Sequence, residues 1–344
     1  MTRLLTNDDI ERLLTMPDCL EALEAAYRGH ARGVTVGSTS RVETVVPTAA
    51  PDVQYEFTSI EGAVPHAGVM ALRCNSNHMA MRVVNGLTRK DRLPDAPGGR
   101  YVGLILLFSL ADLRLLGILQ DGFISAMRVG GANALAAHAL AREEAGVVGL
   151  LGAGDQARKQ LAGLAAIGRL REARVFSPNP ERRARFAEAM SRELRLPVRP
   201  VGSARAAIAG ADIVAAATNS FEPVFDAAWI EPGMHVTAIL SPEAPPEMYE
   251  RADVVVINTQ SGYGRGAAGH YDVSADWSRY PTLGQLLEGQ AAGRVDDAQI
   301  TFFMNNAGIG FQFAAVGARV LELAEAAGAG CHLPDDLFTQ SWHT

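Results

Sequence analysis

Residues 147–157 read Val-Val-Gly-Leu-Leu-Gly-Ala-Gly-Asp-Gln-Ala. A short apolar run ends at Gly152, Gly154 follows, and Ala157 begins a stretch with helical apolar spacing. The first glycine permits a tight turn, the second lets the backbone approach a pyrophosphate, and the small third residue lets the helix pack on the strand. The helix N-terminus adds unpaired N–H groups and the positive end of its dipole. We therefore predict a dinucleotide-binding turn made of Gly152, Ala153, Gly154, Asp155, Gln156 and Ala157.

The chain after this turn alternates between short apolar runs and amphipathic stretches. Strands are predicted at 147–151, 173–177, 197–201, 212–217, 235–240 and 254–258, and helices at 156–167, 180–193, 204–209 and 282–289. Such alternation is typical of a parallel sheet that is covered by helices on both faces. The fold class is therefore predicted to be α/β, with a Rossmann domain over residues 131–309. Lys159, one turn into the first helix, is expected to face solvent.

The residues before the turn follow a different pattern. Two short helices are predicted before residue 33, strands within 41–75, and a strand pair at 101–110 and 115–119. An Ala-rich helix over 125–142 and an apolar helix over 308–328 flank the central part, and residues 329–344 are predicted to be a tail. Residues 76–100 are polar and end in Pro97-Gly98-Gly99, so we predict a loop there.

Composition excludes several classes of protein. The chain has 344 residues, 48% of them hydrophobic, and a net charge of −7, so it lacks the basic surface that nucleic-acid binding needs. The sequence has no apolar run long enough to cross a bilayer, and we expect no membrane partner. Its three widely spaced cysteines argue for reduced thiols, hence a cytoplasmic location, and against a metal site.

The second predicted strand ends in a way that bears on cofactor choice. An NAD site usually has an acidic residue there, which hydrogen-bonds the 2′-hydroxyl of the adenosine ribose. Here the position is Ser177, with Asn179 and Arg182 beyond it. A carboxylate would repel a 2′-phosphate, whereas serine and arginine can accept one. We therefore favour NADP(H) over NAD(H), although Pro178 and the arginines could equally shape a solvated loop and helix face.

Two arginines before the turn lie in apolar surroundings. Arg73 ends an apolar strand, and Arg128 lies in the first turns of the Ala-rich helix. A charge there is costly to bury unless it is paired, and a guanidinium fork suits a carboxylate. The residues alone leave two alternatives open, which are ordinary ion-paired arginines or a site for an anionic ligand.

The chain from about residue 4 to residue 338 resembles the ornithine cyclodeaminase/μ-crystallin family. The opening Leu-Leu-Thr-Asn-Asp-Asp-Ile at 4–10 and the turn at 152–160 match the family closely. Further segments fit its helix start, later strands and return to the first domain: Asp121-Gly122 with Ser125-Ala126-Met127-Arg128, Ala211-Asp212-Ile213-Val214 with Thr218-Asn219-Ser220, Pro232 to Val236, Gly293-Arg294 with Ile300-Thr301, and Gly308-Ile309-Gly310.

The resemblance implies an architecture and a chemistry. Residues 1–130 and 310–344 would form one discontinuous α+β domain for substrate binding and dimerisation, into which the Rossmann domain is inserted, and the protein would be a homodimer. Thr218, Asn219 and Ser220 would contact the cofactor. Basic residues at the positions of Arg41, Arg73 and Arg128 would hold the carboxylate of a small amino or imino acid, whose α-carbon would exchange a hydride with the nicotinamide.

Two departures from the family pattern restrict what can be carried over. The family usually has lysine where this chain has Arg73, and arginine is a poor proton shuttle because it stays protonated. Cyclodeaminases also have a Gly-x-Asp after the strand at 235–239, whose Asp assists ring closure. Here the segment is Leu240-Ser241-Pro242-Glu243, and Glu243 could replace that Asp only with a shifted loop.

Three hypotheses about function remain at this point. The first is an NAD(P)-dependent reductase or dehydrogenase acting on the Cα–N bond of a small imino or amino acid, with Arg41, Arg73, Arg128 and Glu243 as candidate catalytic residues. The second is a redox-neutral cyclodeaminase of the ornithine type, which recycles bound NAD. The third is a non-catalytic, NADP-binding protein of the crystallin kind.

Overall fold

The computed structural model describes residues 1–37, 42–84, 87–260 and 276–341. Arg41, which the resemblance places at the substrate carboxylate, lies outside these described residues. The described strands are β1 Thr2–Leu5, β2 Val36–Gly37, β3 Val42–Pro47, β4 Val53–Val64, β5 Val69–Val84, β6 Leu87–Leu93, β7 Val102–Ser109, β8 Leu115–Gln120, β9 Val147–Leu151, β10 Glu172–Phe176, β11 Val198–Pro200, β12 Ile213–Ala216, β13 His235–Ala238, β14 Val254–Ile257, β15 Thr301–Met304 and β16 Cys331–Leu333. The described helices are α1 Asn7–Leu13, α2 Met16–Ala31, α3 Gly122–Leu140, α4 Asp155–Ala166, α5 Pro180–Leu194, α6 Ala204–Ile208, α7 Met248–Arg251, α8 Leu283–Leu287 and α9 Gly310–Ala327.

The first sheet is mixed and joins both ends of the chain. Its order is β16-β1-β8-β7-β5-β4-β2, with β3 paired to β4 and β6 paired to β5. Strands β1 and β8 are parallel, and the other described pairs are antiparallel. The predicted tail was partly wrong, because residues 331–333 form β16 beside β1. This pairing brings the segment after α9 back to the N-terminal strand.

The second sheet is parallel and has the order β11-β10-β9-β12-β13-β15-β14. Strands β9, β10 and β12 leave their carboxyl ends side by side, which is the Rossmann arrangement around a topological switch point. The sequence interpretation missed β15, which lies between β13 and the edge strand β14. The fold is therefore a Rossmann domain inserted between the two parts of a mixed α/β unit.

Residues 76–100 are a correction to the predicted loop. Residues 69–84 and 87–93 form the long hairpin strands β5 and β6, paired from His78 opposite Leu93 to Val84 opposite Leu87. The hairpin is held to its own sheet by an ion pair of 2.6 Å between Lys90 Nζ and the buried Glu56. His78 Nδ1 also lies 2.8 Å from an Asp95 oxygen. The segment is thus an ordered extension of the first sheet.

Helix α3 packs directly against helix α4 through two glycines. A Cβ at Gly130 would collide with the carbonyl oxygen of Lys159, and a Cβ at Gly163 would lie 2.6 Å from the carbonyl oxygen of Gly130. The expectation that Lys159 faces solvent was wrong, since it is buried with its ammonium 4.1 Å from the Phe123 ring centroid. The domain boundary predicted at residue 130 falls inside α3, and its exact place stays a prediction.

Among the described residues, no helix is both long and apolar enough to cross a membrane.

Candidate active site

The turn after β9 has the backbone geometry that the sequence predicted. Gly152 has φ +121°, and its N–H donates to the carbonyl of Phe176 at 2.8 Å. A Cβ at Gly152 would collide with the carbonyl oxygen of Ala217, so no larger residue fits without a shift. At Gly154 the nearest atom to such a Cβ would be an Arg182 nitrogen at 3.6 Å, so that side of the turn is open. Ala157 is fully buried where α4 meets the sheet.

A cavity of about 730 Å³ lies over this turn, and we call it the cofactor cavity. Most of the predicted cofactor residues line it, together with Asp91 from the β5–β6 hairpin: Gly152, Ala153, Gly154, Asp155, Gln156, Ser177, Arg182, Thr218, Asn219 and Ser220. Asn179 is placed differently, because its side chain accepts a hydrogen bond from the Arg182 N–H at 2.9 Å and caps α5. Arg182 Nε donates to the carbonyl of Ala153 at 3.1 Å, which holds its guanidinium beside the turn. The open glycine cradle and the cavity above it fit a dinucleotide.

Glu243 is fully buried behind this cavity. One carboxylate oxygen accepts the N–H of Thr218, and the other accepts the N–H groups of Ile239 at 3.3 Å and Leu240 at 3.1 Å. Burial raises the pKa of Glu243 to about 7, against the opposing effects of the Thr218 side chain and of these N–H donors. Its own carbonyl accepts the N–H of Val224 at 3.0 Å. In this geometry Glu243 joins the loops after β12 and β13, and its oxygens point at backbone.

Arg73 lies on β5 and makes an ion pair with the buried Asp121, the residue before α3. Arg73 Nε donates to Asp121 Oδ2 at 2.8 Å, and a terminal guanidinium nitrogen lies 2.7 Å from the same oxygen. Asn75 Nδ2 also donates to this oxygen at 2.8 Å, and Ser125 Oγ donates at 3.2 Å. Asp121 therefore fixes the direction of the Arg73 side chain.

Arg128 lies on α3, and its partners come from the last long helix. It donates to Gln312 Oε1 at 2.9 Å, and Gln312 Nε2 donates to the Tyr27 hydroxyl at 2.6 Å. The Tyr27 hydroxyl donates to Asn258 Oδ1 at 2.5 Å. Burial raises the pKa of Tyr27, so the hydroxyl stays protonated and keeps this donor. A continuous buried hydrogen-bond chain thus holds Arg128.

The two arginines meet at Phe313 of α9. The guanidinium carbon of Arg73 lies 5.4 Å from the ring centroid, and that of Arg128 lies 5.1 Å from it. A Cβ at Gly308 would come within 2.7 Å of an Arg128 nitrogen, so a larger residue there would displace the guanidinium. The loop after β15, which carries Gly308, leaves the carboxyl edge of the parallel sheet, the edge where ligands bind in open α/β folds. We call Arg73, Arg128, Asp121, Gln312 and Phe313 the arginine cluster.

Comparison with known proteins identifies the family of this chain. The family model for the ornithine cyclodeaminase/mu-crystallin family matches residues 1–326. The chain belongs to this family. A member from Rhizobium meliloti (strain 1021), RB0419, is 35% identical over 236 residues, which is 66% of this chain and 71% of that protein. The iminosuccinate reductase of Paracoccus denitrificans is 26% identical over 298 residues, covering 83% of this chain and 91% of its own.

A solved structure of the same fold is that of Thermococcus litoralis Δ1-pyrroline-2-carboxylate reductase in complex with NADH and L-proline. Its TM-score is 0.80 at 24% identity, and the match covers 96% of this chain and all of that one. The family and its reductases make this chain an enzyme. The hypothesis of a non-catalytic binding protein is accordingly set aside.

Sequence reasoning missed several residues of the site. Asp121 was quoted as part of a motif without a role, yet it directs Arg73. Gln312, Tyr27 and Asn258 were not singled out, because their link to Arg128 joins segments far apart in the chain. Asp91 was hidden within the predicted loop, because residues 88–92 are all polar and show no alternation that would indicate a strand.

Proposed function

We propose that the protein is an NAD(P)-dependent reductase or dehydrogenase that exchanges a hydride with the α-carbon of a small imino or amino acid. The observation that supports this most directly is the pair of guanidinium groups on the Phe313 ring, beside the carboxyl edge of the cofactor-binding sheet. Two fixed cations in a partly buried site suit one carboxylate, since guanidinium forks bind such groups bidentately. The substrate named for the Paracoccus relative is an imino acid, in agreement with this class.

Arg128 and Arg73 orient the substrate, and each is held by its own partner. Hydride transfer to or from the α-carbon is the chemistry that a bound nicotinamide would supply. Arg128, held by Gln312, binds the carboxylate and so fixes where the α-carbon lies. Arg73, directed by Asp121, adds a second positive group at the same place. Arg73 stays protonated at neutral pH, so it orients the substrate and shuttles no proton. Arg41 keeps the role that the family gives it as part of this proposal.

Glu243 weighs against the cyclodeaminase alternative. Ring closure in that reaction uses a carboxylate that reaches the substrate. Both Glu243 oxygens are instead buried, where they accept hydrogen bonds from the backbone N–H groups of Thr218, Ile239 and Leu240. We therefore propose that Glu243 positions the cofactor loops and does not touch the substrate. This proposal gives Glu243 a positioning role in place of the catalytic role considered from the sequence.

For the cofactor we propose a preference for NADP(H) over NAD(H). Ser177 and Arg182 line the cavity at the end of β10, where an NAD-specific site has its carboxylate. Arg182 is held there by its bond to the Ala153 carbonyl, so a cation faces the position of a 2′-phosphate. Asn179 acts through its cap, which fixes the first turn of α5 that bears Arg182.

We also propose that the protein is a homodimer that uses the outer face of the first sheet. Strand register places Val42, Val46, Phe57 and Val102 on one face, and each of these side chains is exposed. An exposed apolar sheet face of this kind marks an interaction surface. Sedimentation should give twice the 36.6 kDa mass of the chain, and a monomer would contradict the proposal. The cytoplasmic location stays a prediction.

The reaction is tested by mixing the enzyme with NADPH or NADH and a panel of cyclic and linear α-imino acids. Net loss of absorbance of the reduced nicotinamide, with formation of the amino acid, is the expected result. Ammonia release from a diamino acid with no net absorbance change would instead establish cyclodeamination and overturn the proposal.

A further inference from the structure

The β5–β6 hairpin brings one residue of the first sheet into the cofactor cavity. Lys90 and Asp91 are neighbours on β6, so their side chains point to opposite sides of the strand. Lys90 turns to Glu56 and anchors the hairpin at 2.6 Å. Asp91 turns to the cavity, which it lines together with the glycine turn. A carboxylate is therefore presented to the cavity from outside the Rossmann domain.

Asp91 lies beside the loop after β12. Asn219 Nδ2 donates to Asp91 Oδ1 at 3.3 Å, slightly longer than the usual range for such bonds. Both side chains line the same cavity. A ligand hydroxyl that donates to this carboxylate can therefore compete with a weak contact.

The order of the strands tells which half of a dinucleotide lies there. The sheet order β10-β9-β12 puts Ser177 and Asn219 on opposite sides of the Gly152 turn. The end of β10 is the place where Rossmann folds recognise the adenosine ribose. Asp91, next to Asn219, is therefore on the nicotinamide side.

We propose that Asp91, carried by the β5–β6 hairpin, binds the dinucleotide by accepting hydrogen bonds from ribose hydroxyls on its nicotinamide side. A carboxylate has acceptor sites for two neighbouring hydroxyls and makes stronger hydrogen bonds than a neutral group. This role deepens the proposed function and rests on it, because it needs a nicotinamide dinucleotide in the cavity. It also makes the hairpin a physical link between cofactor and first sheet.

The test compares full-length wild type with Asp91→Ala and Asp91→Asn in titration calorimetry with NADH, NADPH and ADP. One lost charge-assisted hydrogen bond weakens binding by about tenfold. We expect Asp91→Ala to weaken NADH and NADPH by the same factor of about ten and to leave ADP unchanged, since ADP lacks the nicotinamide half. Asp91→Asn should lie between Asp91→Ala and wild type, because its amide oxygen still accepts.

A matched control removes a carboxylate from the same segment. Asp95→Ala takes away the partner of His78 and does not line the cavity, so its dissociation constants should equal those of wild type. Unchanged NADH affinity in Asp91→Ala would overturn the proposal. An equal loss of ADP affinity would also overturn it, because Asp91 would then act on the adenosine side or on the fold. Wild-type enzyme that binds NADH normally but reduces no imino acid would contradict the proposed reaction alone.

Discussion

The glycine turn is shaped by its backbone, whereas the arginine cluster is built from side-chain guanidinium, carboxylate and amide groups. The turn depends on φ +121° at Gly152 and on the absence of a Cβ, and its position is fixed by three parallel strands. In the arginine cluster, side chains from β5, α3 and α9 hold one another by hydrogen bonds. Arg73 donates to Asp121, and Arg128 donates to Gln312. A backbone site tolerates changes of side chain but no added volume. A side-chain site is instead lost when one of its side chains is replaced.

The first prediction breaks the backbone site. Gly152→Ala should cost about 4 kcal/mol of unfolding free energy and abolish measurable NADH binding, because positive φ and displacement of the Ala217 carbonyl act together. Urea unfolding and NADH titration measure the two effects. Gly168→Ala is the control, since Gly168 has φ +82° but open space around its Cβ position, and it should cost about 1–2 kcal/mol with normal NADH affinity. Normal NADH binding by Gly152→Ala would show that the turn does not hold the cofactor.

The second prediction breaks the side-chain site. Arg128→Ala should lower kcat/KM by several hundredfold, about 3–4 kcal/mol, with a higher KM and a lower kcat, because a partly buried carboxylate loses its fork. Arg128→Lys keeps the charge without the fork and should recover part of the loss. Steady-state kinetics are compared with Arg12→Ala, which changes an exposed arginine on α1. Kinetics that match wild type would remove Arg128 from the site.

The third prediction concerns Glu243, whose side chain holds the loops beside the glycine turn. Since the folded-state pKa of Glu243 is raised to about 7 from 4.5, the folded state keeps a proton that the unfolded state has lost between these values. This contribution to stability is complete below pH 4.5 and is lost as pH rises to about 7, by about 3 kcal/mol in total. Glu243→Gln removes it, so wild type should lose stability relative to the variant between pH 4.5 and pH 7.5 in urea unfolding.

His235 gives the opposite slope in an overlapping range. Burial lowers its pKa from 6.5 to about 3, so its contribution is present above pH 6.5 and is lost as pH falls toward 3. The difference between wild type and Glu243→Gln cancels this histidine, which both proteins share. A difference in stability that does not change with pH would contradict the assigned state of Glu243.

The smallest expected effect concerns Arg182, a side chain beside the glycine turn. Arg182→Ala should weaken NADPH binding by about tenfold and leave NADH nearly unchanged, because a 2′-phosphate loses its cation. Arg183→Ala is the matched control. Arg183 donates to the Ser177 carbonyl at 2.6 Å and does not line the cavity, so the ratio of affinities should stay that of wild type. Equal losses for both cofactors in Arg182→Ala would contradict the NADP(H) preference.

The same contrast explains what could be predicted from the sequence. The turn at Gly152 and strands β9, β10 and β12 were predicted closely, because glycine placement and short apolar runs are local patterns. Strand β15 was missed although it is a short, fully buried run like β12, because periodicity alone does not distinguish such a run from a buried helix segment. The β5–β6 hairpin was missed because polar residues on both strands, such as Lys90 and His78, find partners across the sheet or just beyond it.

The arginine cluster could be predicted only in part. Arg73 and Arg128 stood out from their apolar surroundings and the resemblance gave them a role, but neither indicated their partners. Asp121 precedes Arg128 by two turns of one helix, yet it pairs with Arg73 on a distant strand. Gln312 reaches Arg128 across 184 positions of sequence. Partners of this kind depend on tertiary packing, which no local pattern contains.

The glycine contact between α3 and α4 fixes the distance between Arg128 and the glycine turn. Arg128 is two residues before Gly130, and the helix that Gly130 touches begins at the phosphate end of the cofactor cavity. With no side chain between the two backbones, Arg128 and the glycine turn are joined through a direct backbone contact. On the proposed roles, the spacing between the cofactor and the substrate carboxylate therefore depends on packed backbone and not on flexible side chains.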